Sequence, residues 1–232
     1  MVYRWAAVTP IDMKKWIKIE RIPGVLASSY EKATRLAIDS YYRQVAEEVV
    51  SVFQEGKMLD LGTGPGNLPV EIAKRAPEIQ IVGVDLSRRL IRMARTRAQN
   101  ANLLNNLIFE VANAANLRFK DESFDMIIST GMFHSLKNPS KVLKEIFLVL
   151  KQGGDAWIYD PAKIIRYIDK SQWRASLNAR ERFFLWIFGL LGLQKPIVVY
   201  SRDEMVPLIE AAGFETYSVD ESDGEIRIKL RK

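Results

Sequence analysis

From Lys57 to Asp160 the chain alternates short apolar runs with segments of helical periodicity, and this alternation restricts the fold more than any other feature. "KMLDL" runs into a glycine turn and is followed by "LPVEIAKRA", whose apolar residues recur at helical spacing until Pro77 stops them. "IQIVGVD" predicts a second buried strand. "SRRLIRMARTRAQNANL" predicts a second helix with Ser87 as its N-cap. "LIFEVA" and "FDMIIST" predict the third and fourth strands, the fourth running into Gly131. "NPSKVLKEIFLVLKQGG" reads as a helix with Pro139 near its first turn and glycine just past its end, and "DAWIYD" as a fifth strand. Strands that are apolar throughout and joined by helices form a parallel sheet covered on both faces.

The C-terminal part reads differently. "SRDEMVPLIEAAGF" predicts a helix with Ser201 as N-cap and Glu204 completing a capping box, ended at Gly213. "ETYSVDES" and "EIRIKLRK" alternate with a period of two on either side of Asp223-Gly224, the pattern of a β-hairpin. The predicted fold is α/β, a mostly parallel seven-stranded sheet with an antiparallel C-terminal hairpin and helices on both faces. The first fifty residues read as helices broken at Pro23-Gly24, with an apolar stripe at Leu36, Val45, Val49 and Val50. The expected organisation is N-terminal helices over residues 1–56 and a main domain over 57–232. Within it, a helical insert at about 161–196 has a basic, polar half (Arg174–Arg182) and an apolar half (Phe183–Leu193).

Composition sets further bounds. At 232 residues, 48% hydrophobic and 27% charged, the chain has the balance of a globular protein with a sizeable core. It has no cysteine, which excludes disulfides, thiolate zinc sites and a cysteine nucleophile. Its one histidine, His134, excludes a histidine-rich metal site, and no metal is expected. No apolar span reaches the ~18 residues of a transmembrane helix. The N-terminal residues lack a basic start followed by an apolar run, so a cytoplasmic protein is expected. The net charge of +6 comes from scattered residues, densest in "KKWIK", "RRLIRMARTR" and "RIKLRK". That spread fits a basic, solvated surface better than a nucleic-acid interface.

The glycine turn carries the chemistry. Gly62, Gly64 and Gly66 lie between a strand and a helix, where backbone N–H groups meet a ligand and absent Cβ atoms let it approach. A dinucleotide fingerprint would need glycine where Asn67 stands, and a P-loop would end in Gly-Lys-Ser or Gly-Lys-Thr, which is absent. What remains is Asp-x-Gly-x-Gly-x-Gly, with Asp60 ahead of the first glycine.

"LDLGTGPG", "VGVDLS", "FDMIIS" and "LKQGG", in that order, resemble the successive motifs of class I S-adenosylmethionine-dependent methyltransferases, and most of all the small-molecule type related to quinone-biosynthesis methyltransferases. The resemblance runs from about Lys57 to Asp160 and implies a Rossmann-like fold, with S-adenosylmethionine as cofactor and S-adenosylhomocysteine as product. It places Asp60 near the methionine ammonium. By the same resemblance, Gly62, Thr63 and Gly64 would let the backbone meet the ligand, Asp85 would accept from the two ribose hydroxyls, and Leu86 would pack on the adenine. Asn113 stands where the family commonly has an acid facing the adenine amino group, and Ala114 would offer its backbone N–H. Ser129 would face the methionine and methyl group. A sulfonium nucleoside has no phosphate, so an acid beside its glycine turn is an asset.

Transfer from a sulfonium is an in-line displacement that positioning and desolvation accelerate; a base is needed only where the acceptor must lose a proton. His134, five residues past Ser129, is the candidate base, or it orders its loop. "STGMF" is not the Asn/Asp-Pro-Pro-Tyr/Phe of the amino-methylating branches, and the cysteine of RNA cytosine-C5 enzymes is missing, which leaves O-, N-, C- or S-methylation of a small molecule; the insert's apolar Phe183–Leu193 run suits a hydrophobic one. The insert reads as a core helix, a lid over a hydrophobic acceptor, a dimer contact or a peripheral membrane element. Tyr30, Tyr41 and Tyr42 are candidates for the acceptor pocket. The chain is expected to be a monomer or homodimer. Two other readings stay open at this level: a non-catalytic S-adenosylmethionine-binding protein, and an RNA-modifying methyltransferase.

Overall fold

The computed structural model describes residues 41–161, 200–222 and 225–232. Helix α1 covers residues 41–52 and buries Val45, Ala46 and Val49, the stripe expected from its sequence; Leu36 lies outside the described residues. Strand β1 (Gly56–Leu61) leads through the glycine turn to α2 (Asn67–Arg75). β2 (Ile79–Asp85) and α3 (Arg88–Asn100) follow, then β3 (Leu107–Val111) and β4 (Phe124–Thr130). A single 3₁₀ turn (Phe133–Ser135) precedes α4 (Pro139–Val149) and β5 (Leu150–Pro161). The chain closes with α5 (Arg202–Ala211) and the strands β6 (Thr216–Ser222) and β7 (Glu225–Arg231).

The seven strands lie in the order β3-β2-β1-β4-β5-β7-β6. β3 to β5 run parallel, and β7 pairs antiparallel with both β5 and β6. The central strands have both faces covered, so they read as unbroken apolar runs. Leu59 and Leu61 of β1 join the core beneath α4 and α5, whereas Met58 joins the core beneath α1, α2 and α3. Alternation along β1 therefore turns Asp60 toward the second face. Helix α1 is tied to the far strands as well: Lys229 of β7 pairs with Glu48 at 2.8 Å and sits 3.9 Å from the ring centroid of Trp157.

The caps at Ser87 and Ser201 form as expected, with Leu90 N–H donating to Ser87 Oγ and a complete capping box at Ser201. One boundary differs. The helix expected to run to the glycines after Lys151 stops at Val149, and Leu150 is already extended, buried and paired with Phe124. Burial of that leucine outweighs its helix propensity. Gly153 and Gly154 lie inside β5, where the register with β4 jumps from Phe124↔Leu150 to Met126↔Asp155. A Cβ on Gly154 would come within 2.9 Å of the Asp125 carbonyl, so the pair serves an irregular strand rather than a helix end. The insert expected at about 161–196 lies, apart from Pro161, outside the described residues, as do Tyr30 and the N-terminal break.

Candidate functional site

After β1 the chain builds β2 and β3 to one side, then crosses back to place β4 on the other. The carboxyl ends of β1 and β4 thus flank a switch point, where open α/β sheets bind ligands. The turn leaving β1 is fastened to β2 there: the N–H groups of Gly62 and Thr63 both donate to the Val84 carbonyl at 2.9 Å. Gly64 N–H donates to Asp85 Oδ2 at 3.1 Å, and Ser87 N–H donates to Asp85 Oδ1 at 2.7 Å.

The glycines divide the work. Gly64 has φ +56, and nothing lies nearer than 4.0 Å to a Cβ built on it, so its backbone faces open space. Gly66 has φ +78, and a Cβ there would stand 2.9 Å from the Ala94 Cβ, so its absence lets α2 start against α3. Gly66 is a packing glycine, whereas Gly64 leaves its backbone uncovered.

Asp60 is 2% exposed, and neither carboxylate oxygen has a hydrogen-bond partner among the described residues; nor does the buried Thr63 hydroxyl beside it. Burial pushes the Asp60 carboxyl up to about 7. The Thr63 hydroxyl pulls it down without closing a bond of ordinary geometry, and the Asp85 charge adds to the rise. An orphaned buried carboxyl is costly unless something cationic or hydrogen-donating meets it.

A cavity opens beside the turn, and five of the expected residues line it: Gly62, Asp85, Leu86, Asn113 and Ala114. Met132, Leu136 and Val142 also line it, and among the described lining residues none is lysine or arginine. Thr63 and Gly64 belong to that turn and Asp60 to the end of β1, and none of the three lines the cavity. Asn113 Oδ1 accepts the Ala115 N–H at 2.9 Å, so one of its lone pairs shapes its own loop. Ser129 departs from expectation. It is 1% exposed, off the cavity wall, and its hydroxyl donates to the Leu61 carbonyl at 3.1 Å. The register Leu61↔Ser129 puts the two side by side, and the hydroxyl ties β4 to β1.

His134 lies on the 3₁₀ turn between the cavity residues Met132 and Leu136. Its Nδ1 is 2.7 Å from Oδ1 of Asp160, near the end of β5. Asp160 is 2% exposed and the His134 side chain 27%. Sequence reasoning missed Asp160. The available signal was that both residues follow the apolar runs of strands that become neighbours.

The site offers an apolar wall for a planar group, a carboxylate at a strand end for hydroxyls and a buried carboxyl for a cation, and among the described residues lining the cavity none is a cation for a phosphate. A nucleoside that carries a positive charge fits these residues.

Comparison with known proteins agrees. A family model described as a methyltransferase domain matches residues 53–210. The chain is 27% identical to a demethylmenaquinone methyltransferase of Porphyromonas gingivalis, over 89% of each chain. It is 29% identical to the ubiquinone/menaquinone biosynthesis C-methyltransferase UbiE of Geotalea daltonii, over 61% of this chain and 62% of that protein, a little under two thirds of the relative's length. A solved structure from Methanococcus maripaludis, assigned to the S-adenosyl-L-methionine-dependent methyltransferases, superposes with a TM-score of 0.73 at 20% identity, covering 95% of this chain and 97% of that one. That last likeness concerns the fold. The chain belongs to the methyltransferase-domain family and is an S-adenosylmethionine-dependent methyltransferase.

Proposed function

We propose that this enzyme methylates a small, hydrophobic acceptor of the quinone type, with S-adenosylmethionine held across the carboxyl ends of β1 and β2. The observation that carries the reading is the pair of acids at the glycine turn: Asp60, buried without a partner, and Asp85, on the cavity wall. In this reading Asp60 faces the methionine ammonium, Gly62, Thr63 and Gly64 admit the ligand to the backbone, and Asp85 accepts from the ribose hydroxyls. Leu86 covers one adenine face, and Asn113 and Ala114 meet its edge. Ser129 acts through β1 rather than through the ligand. Bound S-adenosylmethionine supplies an electrophilic methyl group; the chain's part is to orient it, exclude water and receive the acceptor beside it.

The acceptor class rests on the names of the relatives, which act on demethylmenaquinone or in ubiquinone and menaquinone biosynthesis. Residues 1–56 and the insert at about 161–196 are proposed to cover the cofactor and acceptor sites. Among the described residues no helix is long and apolar enough to cross a membrane. The test is calorimetric titration of S-adenosylmethionine and S-adenosylhomocysteine, followed by transfer of labelled methyl to a reduced short-chain demethylmenaquinone. Micromolar cofactor binding with label in the ring supports the reading. Cofactor binding with label only on an amine or RNA acceptor overturns the acceptor class, and no binding overturns the site.

A further inference from the structure

We propose that Asp160 positions His134 as a proton acceptor at the transfer site, so that the acceptor is a group that must lose a proton as it is methylated: an activated ring carbon or a hydroxyl of an aromatic diol, not a neutral amine. The proposal rests on the methyltransferase reading above and names the side chains that would handle the acceptor's proton.

The geometry comes from two neighbouring parallel strands. Thr130 of β4 pairs with Tyr159 of β5, and Gly131 N–H donates to the Tyr159 carbonyl at 2.8 Å. That bond folds the chain leaving β4 toward the end of β5, next to Asp160. The following turn is closed by its own bonds. Ser135 N–H and Ser135 Oγ both donate to the Met132 carbonyl, at 2.9 and 2.7 Å, and Phe133 is fully buried beneath it. His134 therefore projects from a braced turn, in contact with a buried carboxylate at 2.7 Å, with 27% of its side chain exposed.

The chemistry follows from what each group can do. An ionised carboxylate only accepts, so in the neutral imidazole the hydrogen sits on Nδ1 and the lone pair on Nε2. Such an Asp–His couple holds the ring in one tautomer and stabilises the imidazolium once it forms. During transfer the acceptor's carbon or oxygen bonds to the methyl carbon while the carbon–sulfur bond breaks and its electron pair stays on sulfur. The acceptor's proton passes to Nε2 of His134 and leaves from there to water. A neutral amine attacks with its lone pair before losing any proton and has no need of this couple.

The chain has one histidine, so nitrogen-15 labelling of histidine reports His134 alone. Two-bond proton–nitrogen spectra of the wild type and Asp160→Asn, each with S-adenosylhomocysteine, give the tautomer without any turnover. The expected result is hydrogen on Nδ1 in the wild type and loss of that preference in Asp160→Asn. With reduced short-chain demethylmenaquinone as probe, Asp160→Asn and His134→Gln are expected to lower kcat at least about tenfold while the cofactor Kd stays unchanged. Hydrogen on Nε2 in the wild type overturns the proposal. So does an Asp160→Asn variant that loses thermal stability or cofactor affinity and keeps kcat, because that is the behaviour of a bracing contact. The spectra decide whether or not this probe is turned over. Failure of the wild type to bind cofactor would sink the methyltransferase reading and leave the tautomer result standing.

Discussion

Asp85 Oδ2 accepts the Gly64 N–H at 3.1 Å, so the carboxylate that ends β2 holds the turn that leaves β1. The same carboxylate lines the cavity, and its other oxygen accepts the Ser87 N–H at the start of α3. One side chain thus links cavity, turn and helix. Asp85→Ala is expected to weaken S-adenosylmethionine about a hundredfold, from two charge-assisted hydrogen bonds of about 1.5 kcal/mol each. Asp85→Asn, which keeps one oxygen, should fall between the two. Calorimetric titration checks both, and wild-type affinity in Asp85→Ala would remove the ribose role.

Gly64 and Gly66 have left-handed backbones two residues apart and different surroundings. Gly66→Ala must fit a methyl 2.9 Å from Ala94 Cβ, so it is expected to destabilise the fold by roughly 2–4 kcal/mol, from overpacking and the left-handed φ together. Gly64→Ala has room and carries only the conformational penalty, about 1 kcal/mol. It is expected instead to lower cofactor affinity more than about tenfold, because its methyl would stand where the ligand approaches. Thermal melts paired with titrations separate the two, and equal effects of both variants on stability and binding would undo the division.

The Ser129 hydroxyl donates to the Leu61 carbonyl inside the sheet. Ser129→Ala is therefore expected to cost about 1 kcal/mol of stability and to leave cofactor affinity within about twofold of wild type. A large loss of affinity without loss of stability would return Ser129 to the ligand.

What could be read from sequence followed the range of the forces involved. Strand, turn and helix are written locally. The apolar runs at Lys57–Leu61 and Ile79–Asp85, the glycines between them and the caps at Ser87 and Ser201 each act within a few residues, and all were legible. Leu150 was not: its fate depends on Phe124, in a strand the local pattern cannot see. The His134–Asp160 couple spans 26 residues and exists only because β4 and β5 become neighbours. Ser129 was placed correctly along its strand, but the direction of its hydroxyl is set by the register with β1.

Burial pushes the Asp60 carboxyl up to about 7, above the ordinary carboxylate value of 3.8. Between those values the folded chain holds a proton that the unfolded chain has released. Stability from this group therefore falls as pH rises from about 4 to about 7 and stays level above. The difference of about 3 units corresponds to roughly 4 kcal/mol at most. Asp60→Asn removes the buried charge, so the variant is expected to melt above the wild type at about pH 8 and to converge with it near pH 4. A cation seated beside the carboxyl favours its ionised form. Wild-type binding of S-adenosylmethionine near pH 7 should thus release a proton, and its affinity should fall as pH drops below about 7. Titrations in buffers of different ionisation enthalpy read the proton directly. Asp60→Asn should bind more weakly and release none; wild-type binding heats that do not vary with the buffer would place the ammonium away from Asp60.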